Sequence, residues 1–190
     1  MAVDLSRLKV LIVDDNSYML TIMRTLLHGF GMKSIFESRD PADAFDMVRS
    51  DSVDIIITDY QMDILDGLDF VRLVRTADDS PNPMVPIVML SAYSERSRVK
   101  KARDAGVTEF CCKPVTARDI FAKLTSVINA PRPFIRNKTY FGPDRRRAGN
   151  VQNSYHGPER RAGAIAEAEA KAESGAAAEG EVAKDGVGAA

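Results

Sequence analysis

Lys9-Val10-Leu11-Ile12-Val13-Asp14-Asp15-Asn16 is an unbroken apolar run that ends abruptly in two acids. A run without alternation suits a strand covered on both faces, as in a parallel sheet. The pattern then repeats outward. Asp54-Ile55-Ile56-Ile57-Thr58 leads into Asp59, Pro86-Ile87-Val88-Met89-Leu90 ends in Ser91, and Thr108-Glu109-Phe110-Cys111-Cys112 leads into Lys113-Pro114. Ser34-Ile35-Phe36-Glu37 supplies a fifth, shorter strand.

Helical periodicity fills the intervals. Met19, Ile22, Met23, Leu26, Leu27 and Phe30 recur on one expected face, and Gly29 and Gly31 end that segment. Asp40-Pro41 is an N-cap followed by proline at the first helical position, opening a helix through Ala44, Phe45 and Val48. Leu68 to Val74 reads as a third helix, Ser94 as the cap of a fourth that Gly106 stops, and Thr116 as the start of a fifth through Ile120, Leu124 and Ile128. Five strand–helix units over residues 1–130 predict a doubly wound α/β domain with a five-stranded parallel sheet.

The average composition conceals an asymmetry. The chain of 190 residues has a net charge of −1. Residues 1–130 hold 16 basic and 19 acidic side chains, residues 131–163 hold 8 and 2, and residues 164–190 hold 2 and 6. An acidic domain, a basic arm and an acidic tip are therefore expected. No apolar run is long enough to span a membrane, and the charged start, Met1-Ala2-Val3-Asp4-Leu5-Ser6-Arg7, lacks an apolar signal core. The two adjacent cysteines, Cys111 and Cys112, form neither a disulfide framework nor a spaced metal motif. A cytoplasmic protein is the expectation.

In parallel sheets, chemistry gathers at the carboxyl ends of the strands. Those ends supply Asp14, Asp15, Asp59, Ser91 and Lys113. Converging carboxylates repel and require a counter-charge, for which a hard divalent cation and a lysine are suited; a hydroxyl adds a donor. Such a set fits stabilisation of a transferring phosphoryl group.

These residues resemble a known family. Val13-Asp14-Asp15-Asn16, Asp59-Tyr60-Gln61-Met62 with Asp66-Gly67, Leu90-Ser91-Ala92 and Lys113-Pro114 are similar, in order and spacing, to the receiver domain of CheY-like response regulators. The resemblance implies a flavodoxin-like sheet ordered 2-1-3-4-5. It implies that Asp59 accepts phosphate from a histidine kinase or phosphotransferase, so the domain is a phosphoacceptor rather than an enzyme. It further implies Mg²⁺ held by Asp15, Asp59 and the Gln61 carbonyl, with Asp14 acting through water. Lys113, after a cis bond to Pro114, would bridge to the phosphoryl oxygens; Ser91 would bond the phosphoryl group, and Phe110 would be an aromatic switch. Asp63 follows Met62 where the family usually has proline.

Beyond Pro131 no periodicity returns, and no helix-turn-helix pattern appears, so DNA binding is not expected. The basic arm, 131–163, carries a repeat instead. Thr139-Tyr140-Phe141-Gly142-Pro143-Asp144-Arg145-Arg146 matches Ser154-Tyr155-His156-Gly157-Pro158-Glu159-Arg160-Arg161 at an offset of 15 residues. Arginine bias, with Arg147 adjoining the first copy, favours forked recognition of guanine and phosphate, and the aromatics favour stacking. The arm resembles the arginine-rich extension of the Cle group of CheY-like cyclic di-GMP effectors. That implies a ligand site from Tyr140, Asp144, Arg145, Arg146, Arg147, Tyr155, Glu159, Arg160 and Arg161, and docking to a target such as the flagellar motor. A basic tail docking on protein or RNA is the other reading. The arm is too poor in apolar residues to order itself, and no fixed structure is expected from 131 onward without ligand; residues 164–190, rich in alanine, glycine and acids, share that expectation.

Overall fold

The computed structural model describes residues 4–63, 65–137 and 139–145. Its strands are β1 (Lys9–Val13), β2 (Ser34–Ser38), β3 (Ile55–Asp59), β4 (Ile87–Ser91) and β5 (Glu109–Cys112). They form one parallel sheet in the order β2-β1-β3-β4-β5, the predicted topology. The helices α1 (Ser17–Gly29), α2 (Pro41–Ser50), α3 (Gly67–Thr76), α4 (Arg96–Ala105) and α5 (Ala117–Asn129) make the crossovers.

Alternating strand side chains fill two cores. Leu11, Val13, Ile56 and Met89 pack with α2, α3 and α4, while Val10, Ile12, Ile57 and Leu90 pack with α1 and α5. Ile56 is fully buried, and truncating such a side chain to alanine costs about 2–5 kcal/mol. Both faces being covered accounts for the unbroken apolar runs.

Local chemistry fixes the helix ends. Asn16 Oδ1 accepts from Tyr18 N at 2.9 Å, Asp40 Oδ1 from Ala42 N at 2.7 Å, and Asp66 Oδ1 from Asp69 N at 2.8 Å. Gly106 closes α4 at φ 101°, a conformation that favours glycine. Two expectations need correction. The buried stripe of α1 is Leu20, Met23 and Leu27, whereas Ile22 is 48% exposed. The cap position of α4 is Glu95 rather than Ser94, with no side-chain cap bond.

The larger correction lies after α5. Short strands β6 (Phe134–Arg136) and β7 (Phe141–Pro143) pair antiparallel, where no regular structure was expected. The unit containing the sheet extends past residue 130 to include this hairpin. Its anchor is Arg75 on α3, 1% exposed. Arg75 Nε donates to Gly106 O at 3.0 Å, Nη1 donates to Pro83 O at 2.8 Å, and the guanidinium lies 5.1 Å from the Phe134 ring centroid. Burial pulls its pKa down to about 9, which leaves it charged at neutral pH. Among the described residues Arg75 Nη2 is the buried side-chain polar atom without a hydrogen-bond partner. Gly142 meets Gly106 so closely that a Cβ on Gly142 would stand 2.8 Å from Gly106 Cα. Tyr140, 8% exposed, closes the turn by donating its hydroxyl to Pro143 O at 2.8 Å. Three-residue strands carry no readable alternation, and the arginine that seats them lies some sixty residues earlier in the chain.

Candidate phosphoacceptor site

The register of the sheet brings the functional side chains together. β1 pairs with β3, and β3 with β4, so Asp14, Asp59 and Ser91 emerge at one edge of the sheet. Lys113 follows β5, and its bond to Pro114 is cis, as the resemblance implied. Lys113 Nζ stands 2.9 Å from Asp59 Oδ1 and 3.2 Å from Asp14 Oδ2.

Burial sets the electrostatics. Asp14 is 2% exposed, and loss of hydration pushes its carboxyl above the ordinary range. The Asn16 N–H and the Lys113 ammonium pull it back, while neighbouring Asp59 raises it further. Burial alone would lower Lys113, but hydrogen bonds and charge from Asp59 and Asp14 outweigh it and hold the ammonium above its usual value. The site is thus a buried carboxylate pair clamped by one cation.

A cavity of about 320 Å³ opens beside it, lined by Asp59, Gln61, Asp63, Ser91, Tyr93 and Lys113 among others. Ser91 is 1% exposed, and its Oγ accepts from Tyr93 N at 3.1 Å. Asp15 Oδ2 accepts from Asp63 N at 3.1 Å, so the residue replacing the usual proline engages the acid assigned to the metal. Among the described residues no three acidic, histidine or cysteine side chains gather closely enough to hold a metal ion. The donor set of Asp15, Asp59 and the Gln61 carbonyl, with Asp14 reaching through water, nonetheless suits a hard cation, because all are oxygens and one lysine faces both buried acids, Asp14 and Asp59.

Arg98 and Arg75 escape the sequence reading, and Gly67 enters it only inside the Asp66-Gly67 motif, with no role attached. Gly67 packs against the backbone carbonyl of Asp59, where any Cβ would collide, and its N–H donates to Tyr60 O at 2.9 Å. Arg98 lies 4.0 Å from the Tyr93 ring centroid and 5.4 Å from that of Tyr60, both rings lining the cavity. Arg75 lies just past the helix expected over Leu68 to Val74, and α3 carries it inward. The spacing of Leu68, Val71 and Arg75 was the available signal, since it sets the arginine on the inner face of α3.

Phe110 is half-buried against the α2–α4 core. It lines a second cleft of about 150 Å³ together with Val99, Ala102 and Arg103 of α4 and with Arg132 and Arg145. Of the expected ligand-binding residues in the arm, Tyr140 is buried under Arg145, whose guanidinium lies 4.2 Å from its ring centroid. Tyr140 therefore offers no open stacking face in this conformation, because the hairpin uses it for its own closure. Arg145 also pairs with Asp104 at 3.0 Å, and the Asp144 N–H donates to Pro133 O at 2.7 Å. Arg146, Arg147, Tyr155, Glu159, Arg160 and Arg161 lie outside the described residues. No helix among the described residues is long and apolar enough to cross a membrane.

Comparison with known proteins gives a consistent picture. Residues 10–125 match the family described as the response regulator receiver domain. The chemotaxis protein CheY of Pseudomonas aeruginosa is 33% identical over 120 residues, covering 63% of this chain and 95% of the relative. CheY-3 of Vibrio cholerae is 31% identical, covering 63% and 91%. Among solved structures, CheY4 of Vibrio cholerae superposes with a TM-score of 0.58 at 25% identity, covering 63% of this chain and 98% of that one. A response regulator receiver domain protein from Clostridium thermocellum gives 0.58 at 26% identity, covering 64% and 94%.

Proposed function

Since the chain belongs to the family of response regulator receiver domains, CheY-like components of two-component signalling, we propose that it is switched by phosphorylation of Asp59 and that its arginine-rich arm reads cyclic di-GMP. The observation that carries the first half is the Lys113 ammonium held between Asp14 and Asp59. An Asp59 oxygen attacks the phosphorus of a phosphohistidine; the new O–P bond forms as the P–N bond breaks, and the imidazole leaves. Lys113 neutralises charge on the equatorial oxygens, and Ser91 donates its hydroxyl to one of them. Asp15, Asp59 and the Gln61 carbonyl would hold Mg²⁺, with Asp14 acting through water; Asp15 Oδ2 accepts from the Asp63 N–H in this structure. When bound, the ion supplies charge neutralisation between the acceptor and the incoming phosphoryl group.

Incubation with acetyl phosphate and Mg²⁺ should add one phosphoryl mass to the full chain, and Asp59→Asn should abolish the gain. An undiminished gain in that variant refutes the assignment.

The second half is supported by the duplicated Tyr-x-Gly-Pro-acid-Arg-Arg cassette, a two-copy element suited to a ligand with two guanine–phosphate halves. The liganded arm then docks a protein target such as the flagellar motor. Titration calorimetry with cyclic di-GMP on the wild type and on Arg160→Ala tests this reading. No binding at low salt would leave an arm that docks on protein or RNA.

A further inference from the structure

Arg98 stands apart from the other cations of α4. Arg96, Lys100, Lys101 and Arg103 are exposed, whereas Arg98, in the first turn of the helix, is half-buried. Its guanidinium lies 4.0 Å from the Tyr93 ring centroid and 5.4 Å from that of Tyr60. Tyr60 directly follows Asp59 at the end of β3, and Tyr93 lies two residues past Ser91 at the end of β4. One arginine thus bridges the two loops that carry the acceptor and its hydroxyl partner. Both rings line the cavity of about 320 Å³ beside Asp59.

The two walls are held unequally. Tyr60 is 8% exposed, and its backbone is bonded on both sides, to Leu90 O at 2.8 Å and from Gly67 N at 2.9 Å. Tyr93 is 44% exposed, and its N–H donates to Ser91 Oγ at 3.1 Å. Among the described residues, no side-chain hydrogen bond and no other ring or cation contact holds the Tyr93 ring. The Arg98 stack is therefore its tether. A guanidinium is weakly hydrated and is drawn to the face of an aromatic ring, so half-burial costs it little there. The helix behind it is fixed, because Ala102 and Ala105 sit in the core. What the wall covers is sensitive to water. Once Asp59 carries a phosphoryl group, a water oxygen attacks the phosphorus and the bond to the Asp59 oxygen breaks. Orthophosphate leaves, the water's protons pass to it and to solvent, and the carboxylate is restored. Keeping water out slows that step.

We propose that Arg98 is a positioning residue that clasps the Tyr93 wall in place and thereby sets how long the acyl phosphate on Asp59 survives. The inference rests on the phosphoacceptor reading of Asp59 and deepens it. Arg98 acts through the ring and not on the reacting atoms. When the stack is lost, Tyr93 swings away from the cavity and water reaches the phosphorus.

The test loads the full chain from acetyl phosphate and Mg²⁺, removes the donor, and follows the decay of the added phosphoryl mass. Thermal melts confirm that each variant is folded. Arg98→Ala should shorten the lifetime about three- to tenfold, the population shift expected on losing one cation–π contact at a partly exposed ring. Arg98→Lys keeps a cation and should fall between Arg98→Ala and wild type. Lys100→Ala removes an exposed cation of the same helix and should stay within about twofold of wild type. In a Tyr93→Leu background, Arg98→Ala should change the lifetime less than about twofold, because the ring through which it acts is gone. A readout independent of activity accompanies these. The Arg98 δ-proton resonances should be shifted upfield by the ring in the wild type and return to ordinary values in Tyr93→Leu. A wild-type lifetime in Arg98→Ala, an equal shortening in Lys100→Ala, or an undiminished Arg98→Ala effect without Tyr93 overturns the clasp. Each leaves the phosphoacceptor reading standing, provided the wild type gains phosphoryl mass and Asp59→Asn does not. A wild type that gains none overturns both.

Discussion

The seating of the hairpin makes a quantitative prediction at Gly142. A Cβ there would stand 2.8 Å from Gly106 Cα and 2.6 Å from Tyr140 Oη. Ordinary carbon–carbon contact begins near 3.5 Å, so Gly142→Ala forces the hairpin outward by about 0.7 Å against backbone that cannot rotate away. Overpacking of this kind costs about 1–3 kcal/mol. The docking it opposes is itself modest. Burial of Tyr140 contributes about 2 kcal/mol, the Arg75–Phe134 contact about 1–2, and the exposed Arg145–Asp104 pair at most about 1. The variant should therefore open locally while the five-stranded sheet remains intact. Amide hydrogen exchange reads the difference. The Asn137 amide, bonded to Tyr140 O, and the Asp144 amide, bonded to Pro133 O, should exchange about ten- to a hundredfold faster, while Ile56 in the central sheet keeps its protection. Unchanged protection at Asn137 and Asp144 would refute the packing argument.

Other expectations are more compact. Arg75→Met removes a buried charge whose depressed pKa of about 9 corresponds to about 5 kcal/mol, and loses two carbonyl bonds and a cation–π contact worth about 4–8 kcal/mol together. Urea unfolding should place it within about 3 kcal/mol of wild type, and Arg75→Ala, which adds a cavity, well below both. Gly67→Ala pushes on the Asp59 carbonyl and should slow phosphorylation from acetyl phosphate about a hundredfold, the usual cost of misplacing a reacting group by about 1 Å. Asp14 has a raised carboxyl pKa, so its charged form opposes folding and stability should increase as pH falls through that raised value. Asp14→Asn should accordingly raise the melting temperature at neutral pH without Mg²⁺ and remove any rise on adding the ion. Lys113 is raised above 10.5, so the stability from its two ion pairs is fully present below that pH and is lost as pH climbs through the folded value. Alkaline melts of wild type against Lys113→Met check this; parallel curves would contradict it.

The sheet was legible because its signals are local. Five apolar runs and the caps Asp40 and Thr116 state their own positions, and the acids after β1 and β3 need only the parallel topology to be brought together. The hairpin was not legible. Phe134-Ile135-Arg136 and Phe141-Gly142-Pro143 are too short for periodicity, and their stability comes from Arg75 and Gly106, far back in the chain. Arg98 was missed for a related reason. Its charge reads as solvent-facing, while its stacking on Tyr93 depends on where the loop after β4 turns. Asp63 departs visibly from the family pattern, but its N–H bond to Asp15 depends on how the loops after β1 and β3 meet.

Strand β5 is four residues long, lies at the margin of the sheet and pairs on one side only, with β4. Its first residue, Glu109, holds Arg132 and Lys123, and the residue just past its end, Lys113, holds Asp14 and Asp59. A strand tethered by one ladder resists sliding less than an inner strand tethered by two. It is a short rod with an ionic joint at each end. If Asp59 takes up charge, a pull on Lys113 would reach Glu109 through these four residues, and a load on Glu109 would reach Lys113. Because coupling free energy is the same in both directions, such a rod cannot be a one-way transmitter.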